Sequence, residues 1–259
     1  MTDPVAAVPL LEVLAIAREI SERSGGAFDV TVAPLVDAWG FGPPGRPAAR
    51  PADSELAALR ARVGYDRLVV DPVARTIAKT VPETVVDLSA IAKGYAVERV
   101  SAALRELGLD RFLVEVGGEV KAVGTRADGR AWRVGIERPD VAARAVHGVV
   151  ELVDEAVATS GDYRNFYEED GRMYAHVIDP RTGLPVPFRG ASVSVVHPDA
   201  TAADAWATAL TVLGPEAGFE LARREDLAAV FVMRSAEGYQ TRETPRFSGR
   251  LRLAGDDVR

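Results

Sequence analysis

Asp204 and Thr208 are two side chains whose types and spacing suit the binding of a metal ion. They lie four residues apart in an alanine-rich segment that predicts a helix, so both project from one helix face. A carboxylate and a hydroxyl are hard oxygen ligands of the kind that bind Mg²⁺. The small apolar neighbours predict a buried face, where an unpartnered carboxylate is costly. The alternative is an aspartate near the helix start that satisfies backbone N–H groups.

Asp87 and Lys93 belong to a second segment, in which a predicted strand leads into a predicted helix. Asp87 ends the strand, Ser89 can cap the helix, and the free N–H groups of a helix N-terminus attract anions. Lys93 in the first turn adds a cation that suits a phosphate. The segment lacks the Gly-x-x-x-x-Gly-Lys-Ser/Thr pattern of a Walker motif. A capped helix with a solvated lysine is the alternative interpretation.

Gly117 and Gly118 form a pair of glycines between two predicted strands and are followed by Glu119. Paired glycines at such a position indicate a bulge or the close approach of another group to the backbone, which a flat ligand requires. A plain turn explains the pair equally well.

His176 stands in an apolar predicted strand, directly before the polar turn that begins with Asp179-Pro180. Because histidine titrates near neutrality, it suits proton transfer. A satisfied structural histidine is the alternative, and the turn itself is ordinary turn chemistry. The polar run Thr159-Ser160-Gly161-Asp162-Tyr163 precedes this strand in the sequence.

The composition limits the kinds of protein that the chain can be. Its 259 residues, 47% of them hydrophobic, are enough for one large domain or two small ones with a core. The net charge of −7 argues against general binding to nucleic acids or membrane surfaces. The absence of cysteine excludes disulfides, thiolate metal sites and cysteine nucleophiles. No apolar run is long enough for a membrane span and the first residues lack a secretory signal pattern, so a cytoplasmic protein is expected.

The elements that must position these residues can be predicted from periodicity and turn signals. Helices are predicted at residues 10–23, from Asp53 or Ser54 to near Gly64, and at 90–107, 201–213 and 216–223. Strands are predicted at 67–70, 76–79, 84–88, 112–116, near 120, and at 132–136, 149–153, 156–159, 174–178, 191–196 and 227–233. Runs of strands with interspersed helices indicate an α+β protein and not a regular βαβ series.

Six short segments follow one another in a characteristic order. They are Gly-Gly-Ala-Phe-Asp from Gly25, Asp-Leu-Ser-Ala-Ile-Ala-Lys-Gly-Tyr from Asp87, Gly-Gly-Glu from Gly117, Thr-Ser-Gly-Asp-Tyr from Thr159, His-Val-Ile-Asp-Pro-x-Thr-Gly-x-Pro from His176 and Asp-Ala-x-Ala-Thr-Ala from Asp204. This series resembles the FAD:protein FMN transferase family, also called the ApbE family. The resemblance covers roughly residues 10–235 and is far more specific than any one segment.

The resemblance implies a single T-fold-like α+β unit with antiparallel or mixed sheets, packed helices and a cleft for FAD. It implies a flavin-binding set formed by Ala27, Phe28, Asp29, Asp87, Lys93, Gly117, Gly118, Glu119, Val177 and Ile178. Mg²⁺ would be held by the Ala90 carbonyl, Asp204 and Thr208. His176 would be the catalytic base, with Asp87 as a second catalytic residue.

The implied reaction transfers the FMN part of FAD to a Ser or Thr hydroxyl of a target flavoprotein and releases AMP. Family targets resemble Asp-x-x-Ser/Thr-Gly-Ala-Ser/Thr. The run Asp179-Pro180-Arg181-Thr182-Gly183 matches only the first part of this motif, so we expect the chain to be the enzyme and not the acceptor. The alternatives are a Mg²⁺-dependent FAD pyrophosphatase that gives FMN and AMP, and a non-catalytic FAD-binding or trafficking protein.

The transferase-like domain is expected to span residues 1–243, followed by a polar C-terminal tail at 244–259. Members of the family usually carry several dozen residues, including a first strand, before the helix that begins here near Leu10. An N-terminally shortened form is therefore expected. An upstream signal or lipid anchor would make the protein extracytoplasmic.

Overall fold

The computed structural model describes residues 7–47, 49–141 and 144–254, which form helices packed on antiparallel sheets. The helices are α1 (Val8–Arg23), α2 (Ala33–Ala38), α3 (Asp53–Arg60), α4 (Ala92–Glu106) and α5 (Ala200–Arg224). The strands are β1 (Leu68–Asp71), β2 (Thr76–Lys79), β3 (Phe112–Val116), β4 (Glu119–Val123), β5 (Trp132–Glu137), β6 (Val146–Leu152), β7 (Ala156–Gly161), β8 (Phe166–Glu169), β9 (Arg172–Asp179), β10 (Leu184–Pro187), β11 (Ala191–His197), β12 (Ala228–Ser235), β13 (Gly238–Glu243) and β14 (Leu251–Leu253). The predicted α+β class is confirmed.

The largest sheet has six strands in the order β13-β12-β11-β7-β4-β3. Three smaller sheets accompany it: the predicted hairpin β1-β2, and two sheets in the orders β10-β9-β8 and β14-β6-β5. Every strand pair in the described part of the chain is antiparallel.

Both faces of the six-stranded sheet are covered, as strand β12 shows. Its residues Ala229 and Phe231 join the core formed with α1 and α5, while the alternate residues Val230 and Val232 join the core around Phe247 and the β14-β6-β5 sheet. Successive side chains of a strand point to opposite faces. A strand buried on both sides therefore reads as one continuous apolar run, as in residues 228–233.

Helices α4 and α5 come into close contact at Gly94. A Cβ atom at this position would lie 2.2 Å from the Ala200 carbonyl oxygen and 2.8 Å from the Cβ atom of Asp204. Gly94, Val97 and Ser101 form the buried stripe of α4 at helical spacing. The missing side chain at Gly94 thus sets the distance between the two helices and brings the N-terminus of α4 beside Asp204.

The segment at residues 84–88 is an extended connection and not the predicted strand. Its polar groups bond to neighbouring loops: Thr84 Oγ1 donates to the Arg62 carbonyl at 2.9 Å, and the Asp87 N–H donates to the Val30 carbonyl at 2.7 Å. The prediction that Ser89 caps the following helix was also wrong. Helix α4 begins only at Ala92, and Asp87 Oδ1 instead accepts the Ser89 N–H at 2.9 Å.

The two helices predicted at residues 201–213 and 216–223 are the two halves of α5. Gly214 has a positive φ of 77° and kinks the helix, and Pro215 follows it. Glycine adopts this conformation at little cost and proline cannot supply an N–H group, so the kink is where the sequence places it. None of the described helices is long and apolar enough to cross a membrane.

The segment at residues 244–254, which the sequence assigns to a C-terminal tail, continues the fold. Phe247 is fully buried, and β14 pairs with β6 from Leu251 to Leu253. The rest of that tail, residues 255–259, lies outside the described residues, as do the first residues, from which no secretory signal is predicted.

The contact between α4 and α5 can be tested by the direction in which Gly94→Ala changes the free energy of unfolding. Helix propensity alone predicts that Gly94→Ala stabilises the protein by about 1 kcal/mol. We expect the opposite, a loss of about 1–3 kcal/mol in the free energy of unfolding, because the added methyl group meets backbone atoms of α5. Urea unfolding measures the difference. A stabilised Gly94→Ala variant would show that the helices do not meet in this way.

Candidate active site

A cleft of about 880 Å³ opens beside the N-terminus of α4, between α5, the end of β7 and strand β9. Its volume lies within the usual range of small-molecule sites. The cleft is lined by every residue for which the sequence predicts a role, namely Ala27, Phe28, Asp29, Asp87, Ala90, Lys93, Gly117, Gly118, Glu119, His176, Val177, Ile178, Asp204 and Thr208. Residues distant in the sequence are therefore collected in one place.

Asp204 joins the two helices through its carboxylate. Oδ2 accepts the Gly94 N–H at 2.9 Å, and Oδ1 lies 3.5 Å from the Lys93 ammonium. The side chain is only 4% exposed, and this burial raises the pKa of Asp204 against the opposing effect of Lys93. Part of the alternative interpretation thus holds, since one oxygen satisfies a backbone N–H group. The other oxygen faces the cleft, one helical turn before Thr208.

The Ala90 carbonyl is free in the turn before α4. Ala90 precedes Ile91, the N-cap of the helix, so the helical hydrogen bonds do not use its carbonyl. The Gly94 N–H in the first turn is taken by Asp204, and the Ala90 carbonyl accepts no hydrogen bond from the described residues. A carboxylate oxygen, a hydroxyl and an unused carbonyl are thus the protein oxygens available beside the helix N-terminus.

This donor set fits Mg²⁺ when water or a ligand supplies the remaining oxygens. Within residues 7–47, 49–141 and 144–254, no three His, Cys, Asp or Glu side chains form a metal-binding cluster. Mg²⁺ is commonly held by one or two carboxylates together with water and substrate phosphates. The predicted ligands Ala90, Asp204 and Thr208 match that mode of binding.

Glu119 is a buried carboxylate at the same end of the cleft. It is 2% exposed, and its Oε1 accepts the Lys93 ammonium at 2.5 Å. Its Oε2 is buried without a hydrogen-bond partner in the described part of the chain. Burial and then the negative charge of Asp204 raise the pKa of Glu119. Gly117, with a φ of 62°, leaves room for the lysine, since a Cβ atom there would lie 2.9 Å from Lys93 Cδ.

His176 faces the cleft from β9 in a defined tautomer. Its Nδ1 lies 3.1 Å from the Asn165 carbonyl oxygen. A carbonyl can only accept, so Nδ1 carries the proton and Nε2 carries the free lone pair. Burial lowers the pKa of His176, with a smaller opposing effect from the Asn165 bond. The ring is therefore neutral near pH 7, as a general base must be.

Phe41 is a wall of the cleft that the sequence analysis missed. Its ring lies 6.4 Å from the His176 ring and begins a stack that continues through Tyr167, Tyr174 and Trp39, with centroid separations of 5.2, 5.3 and 5.5 Å. The available signal was an aromatic residue between two glycines. Gly40 has a φ of 81°, and a Cβ atom at Gly42 would lie 1.6 Å from Asp37 Oδ1.

Asp29 and Asp87, two of the predicted site residues, also form hydrogen bonds that stabilise the fold. Asp29 uses both carboxylate oxygens inside the fold: Oδ1 accepts the Thr31 N–H at 2.8 Å and the Thr31 hydroxyl at 2.6 Å, and Oδ2 accepts the Tyr65 N–H at 2.8 Å. Asp87 commits Oδ1 to the Ser89 N–H. The Asp29 carboxylate therefore fixes the loop that lines the cleft, and Asp87 keeps its other oxygen for a ligand.

Asp162 explains part of the polar run after β7. Its carboxylate accepts the N–H groups of Arg189 and Ala191 at 2.6 and 2.7 Å and so fixes the turn before β11. Asp162 and Ser192 line a separate cavity of about 60 Å³, which shares Val212 with the main cleft and is too small for a nucleotide. Ser160, Tyr163 and Arg164 line the main cleft and extend the predicted set.

Comparison with known proteins shows the family of this chain. The sequence profile of the ApbE family matches residues 2–231. The chain is similar to the FAD:protein FMN transferase of Vibrio cholerae serotype O1, with 42% identity over 232 residues, which are 88% of this chain and 69% of that protein. The FAD:protein FMN transferase of Escherichia coli K12 is 38% identical over 244 residues, 93% of this chain and 70% of that protein.

Solved structures show the same likeness in three dimensions. The apo form of the Pseudomonas stutzeri flavinyl transferase ApbE superposes with a TM-score of 0.83 at 40% identity, covering 94% of this chain and 75% of that one. The flavin transferase ApbE of Vibrio cholerae also has a TM-score of 0.83, with 38% identity, 95% of this chain and 78% of that one. Fold and sequence agree over most of the length, and the chain belongs to the ApbE family.

Proposed function

We propose that this chain transfers the FMN part of FAD, with Mg²⁺, to a Ser or Thr hydroxyl of an acceptor flavoprotein and releases AMP. The observation that supports the proposal is one ligand-sized cleft lined both by His176 and by Asp204, Thr208 and Ala90, the residues that could hold Mg²⁺. The relatives named FAD:protein FMN transferase support the same reaction.

The N-terminus of α4 is the end of the cleft that suits the diphosphate of FAD. The helix dipole favours an anion at this end, and Lys93 adds a full positive charge. The Ala90 carbonyl, Asp204 and Thr208 would hold Mg²⁺ beside it. When bound, the cation neutralises charge on the diphosphate oxygens. The flat flavin ring would then lie along Ala27, Phe28 and the glycine pair Gly117-Gly118.

The His176 side of the cleft suits the acceptor hydroxyl. The hydroxyl oxygen forms a bond to the FMN phosphorus while the bond between that phosphorus and the oxygen of AMP breaks. The hydroxyl proton passes to Nε2 of His176, and AMP leaves with the bridging oxygen. The carbonyl of Asn165 holds the imidazole in the tautomer that this step needs. We infer that Asp87 contacts FAD and is a second catalytic residue. We also infer that acceptors carry an Asp-x-x-Ser/Thr-Gly-Ala-Ser/Thr-like motif.

Incubation with FAD, Mg²⁺ and an acceptor peptide tests the reaction. We expect a covalent FMN adduct on the peptide by mass spectrometry, together with one equivalent of AMP. A peptide whose acceptor hydroxyl residue is replaced by alanine is the control and should stay unmodified. FMN and AMP without an adduct would indicate a pyrophosphatase instead, and FAD binding without turnover would indicate a binding protein.

The pH dependence of transfer tests the role of His176. The folded-state pKa of His176 is lowered below the ordinary value of about 6.5. The neutral imidazole, which is the form that accepts a proton, therefore predominates at neutral pH. We expect kcat/KM to be constant near neutrality and to fall as the pH drops through a pKa below about 6.5. His176→Ala should slow transfer by about 10²–10⁴-fold and remove this acidic limb while FAD still binds. Transfer by His176→Ala at the rate of the unaltered chain would rule out this residue as the base.

A further inference from the structure

Lys93 occupies the side of Asp204 that faces the cleft. Of the two carboxylate oxygens, Oδ2 is fixed by the Gly94 N–H, and Oδ1 is the one left for any cation. The ammonium lies 3.5 Å from Oδ1 and 2.5 Å from Oε1 of Glu119. A lysine cation therefore stands where a divalent cation would approach Asp204.

Glu119 is only half satisfied by this lysine. Its second oxygen, Oε2, is buried and has no partner among the described residues. Two carboxylates thus share one ammonium in a place that is almost closed to water on their side. Buried polar side-chain atoms in folded proteins mostly have a hydrogen-bond partner, so this Glu119 oxygen is a place where a water, an ion or a ligand group can bind.

The pair Lys121 and Glu98 shows what a purely structural version of the contact looks like in the same protein. Lys121 is 8% exposed and donates to both Glu98 oxygens, at 2.6 and 2.7 Å, and to the Pro198 carbonyl at 3.0 Å. Glu98 Oε1 also accepts the Ala200 N–H at 2.6 Å. Both oxygens of Glu98 are used, whereas Glu119 has one buried oxygen without a partner among the described residues.

Lys93 also has the freedom to move. Its side chain is 42% exposed and therefore borders open space, and Gly117 has no side chain to obstruct the stem. A lysine is a compact charge on a flexible four-carbon chain. An ammonium and a divalent cation on neighbouring oxygens would repel each other.

We propose that Lys93 and a divalent cation compete for Oδ1 of Asp204, and that Glu119 is a positioning residue that keeps the displaced ammonium in the cleft beside the diphosphate. In the absence of metal, the Lys93 ammonium stays beside Oδ1 of Asp204. Once the metal has bound, the ammonium contacts the phosphates of FAD. This inference rests on the proposed function, because it takes Asp204 as the metal ligand and the diphosphate as the ligand near Lys93.

Metal binding in the absence of FAD and acceptor tests the competition. We expect Lys93→Met to bind Mn²⁺ at least about tenfold more tightly than the unaltered chain, measured by electron paramagnetic resonance, because the competing charge is gone. Added Mg²⁺ should also raise the melting temperature of Lys93→Met by more than that of the unaltered chain. Lys93→Gln is the second variant, in case the methionine variant does not fold.

Lys121→Met is the matched control, since it removes a buried lysine from the structural pair. It should lower the melting temperature, and its Mn²⁺ affinity and Mg²⁺ response should stay those of the unaltered chain. Mn²⁺ affinities of Lys93→Met and Lys93→Gln that do not exceed that of the unaltered chain would overturn the competition.

A double-mutant cycle on FAD affinity tests the part played by Glu119. With Mg²⁺ present, we expect Glu119→Gln and Lys93→Met each to weaken FAD binding about fivefold, and the double variant to weaken it no further, because both changes remove the same contact. Losses that multiply in the double variant would show that Glu119 does not act through Lys93.

Asp204→Asn separates failure of this inference from failure of the proposed function. If Asp204→Asn binds Mn²⁺ as tightly as the unaltered chain, the metal site of the proposed function is wrong and the competition falls with it. If Asp204→Asn loses Mn²⁺ binding while Lys93→Met and Lys93→Gln change nothing, the competition alone is wrong.

Discussion

The approach of α4 to α5 at Gly94 is the contact on which the site depends. Because residue 94 has no side chain, the Asp204 carboxylate reaches its N–H group. That bond satisfies an N–H group of the first turn of α4, which has no partner within the helix. It also orients this turn, so that Lys93 points at Asp204 and Glu119. One steric constraint therefore positions a carboxylate and an ammonium together.

The opposite side of the cleft is formed by strand β9, which carries His176. His176 is held by β9, and its tautomer is set by the carbonyl of Asn165 from the connection between β7 and β8. Asp204 and Thr208 lie on α5 and Ala90 lies in the turn before α4, whereas the base lies on a small sheet, so their distance depends on how these elements pack. Val177 of β9 and Val212 of α5 belong to one buried apolar cluster, which ties the two sides of the cleft together.

Much of the site could be predicted from the sequence because its polar residues interrupt apolar patterns. Asp204, His176 and the glycine pair are noticeable for that reason, and the structure brings them into one cleft. The role of Asn165 could not be predicted, because it acts through a backbone carbonyl that every residue has. The stretch at 84–88 reads as a strand, but apolar residues alone do not say whether a neighbouring strand exists to pair with them.

The stack that runs from Trp39 to Phe41 has a consequence for what the cleft can hold. Trp39 is 1% exposed and its Nε1 donates to the Gly183 carbonyl at 2.8 Å, so the far end of the stack cannot shift. Each ring braces the next, and Phe41 presents a surface whose orientation is already set before any ligand arrives. A planar molecule lying on it would lose little entropy in ordering that wall. A bulkier, non-planar one could not push it aside without disturbing the protein interior.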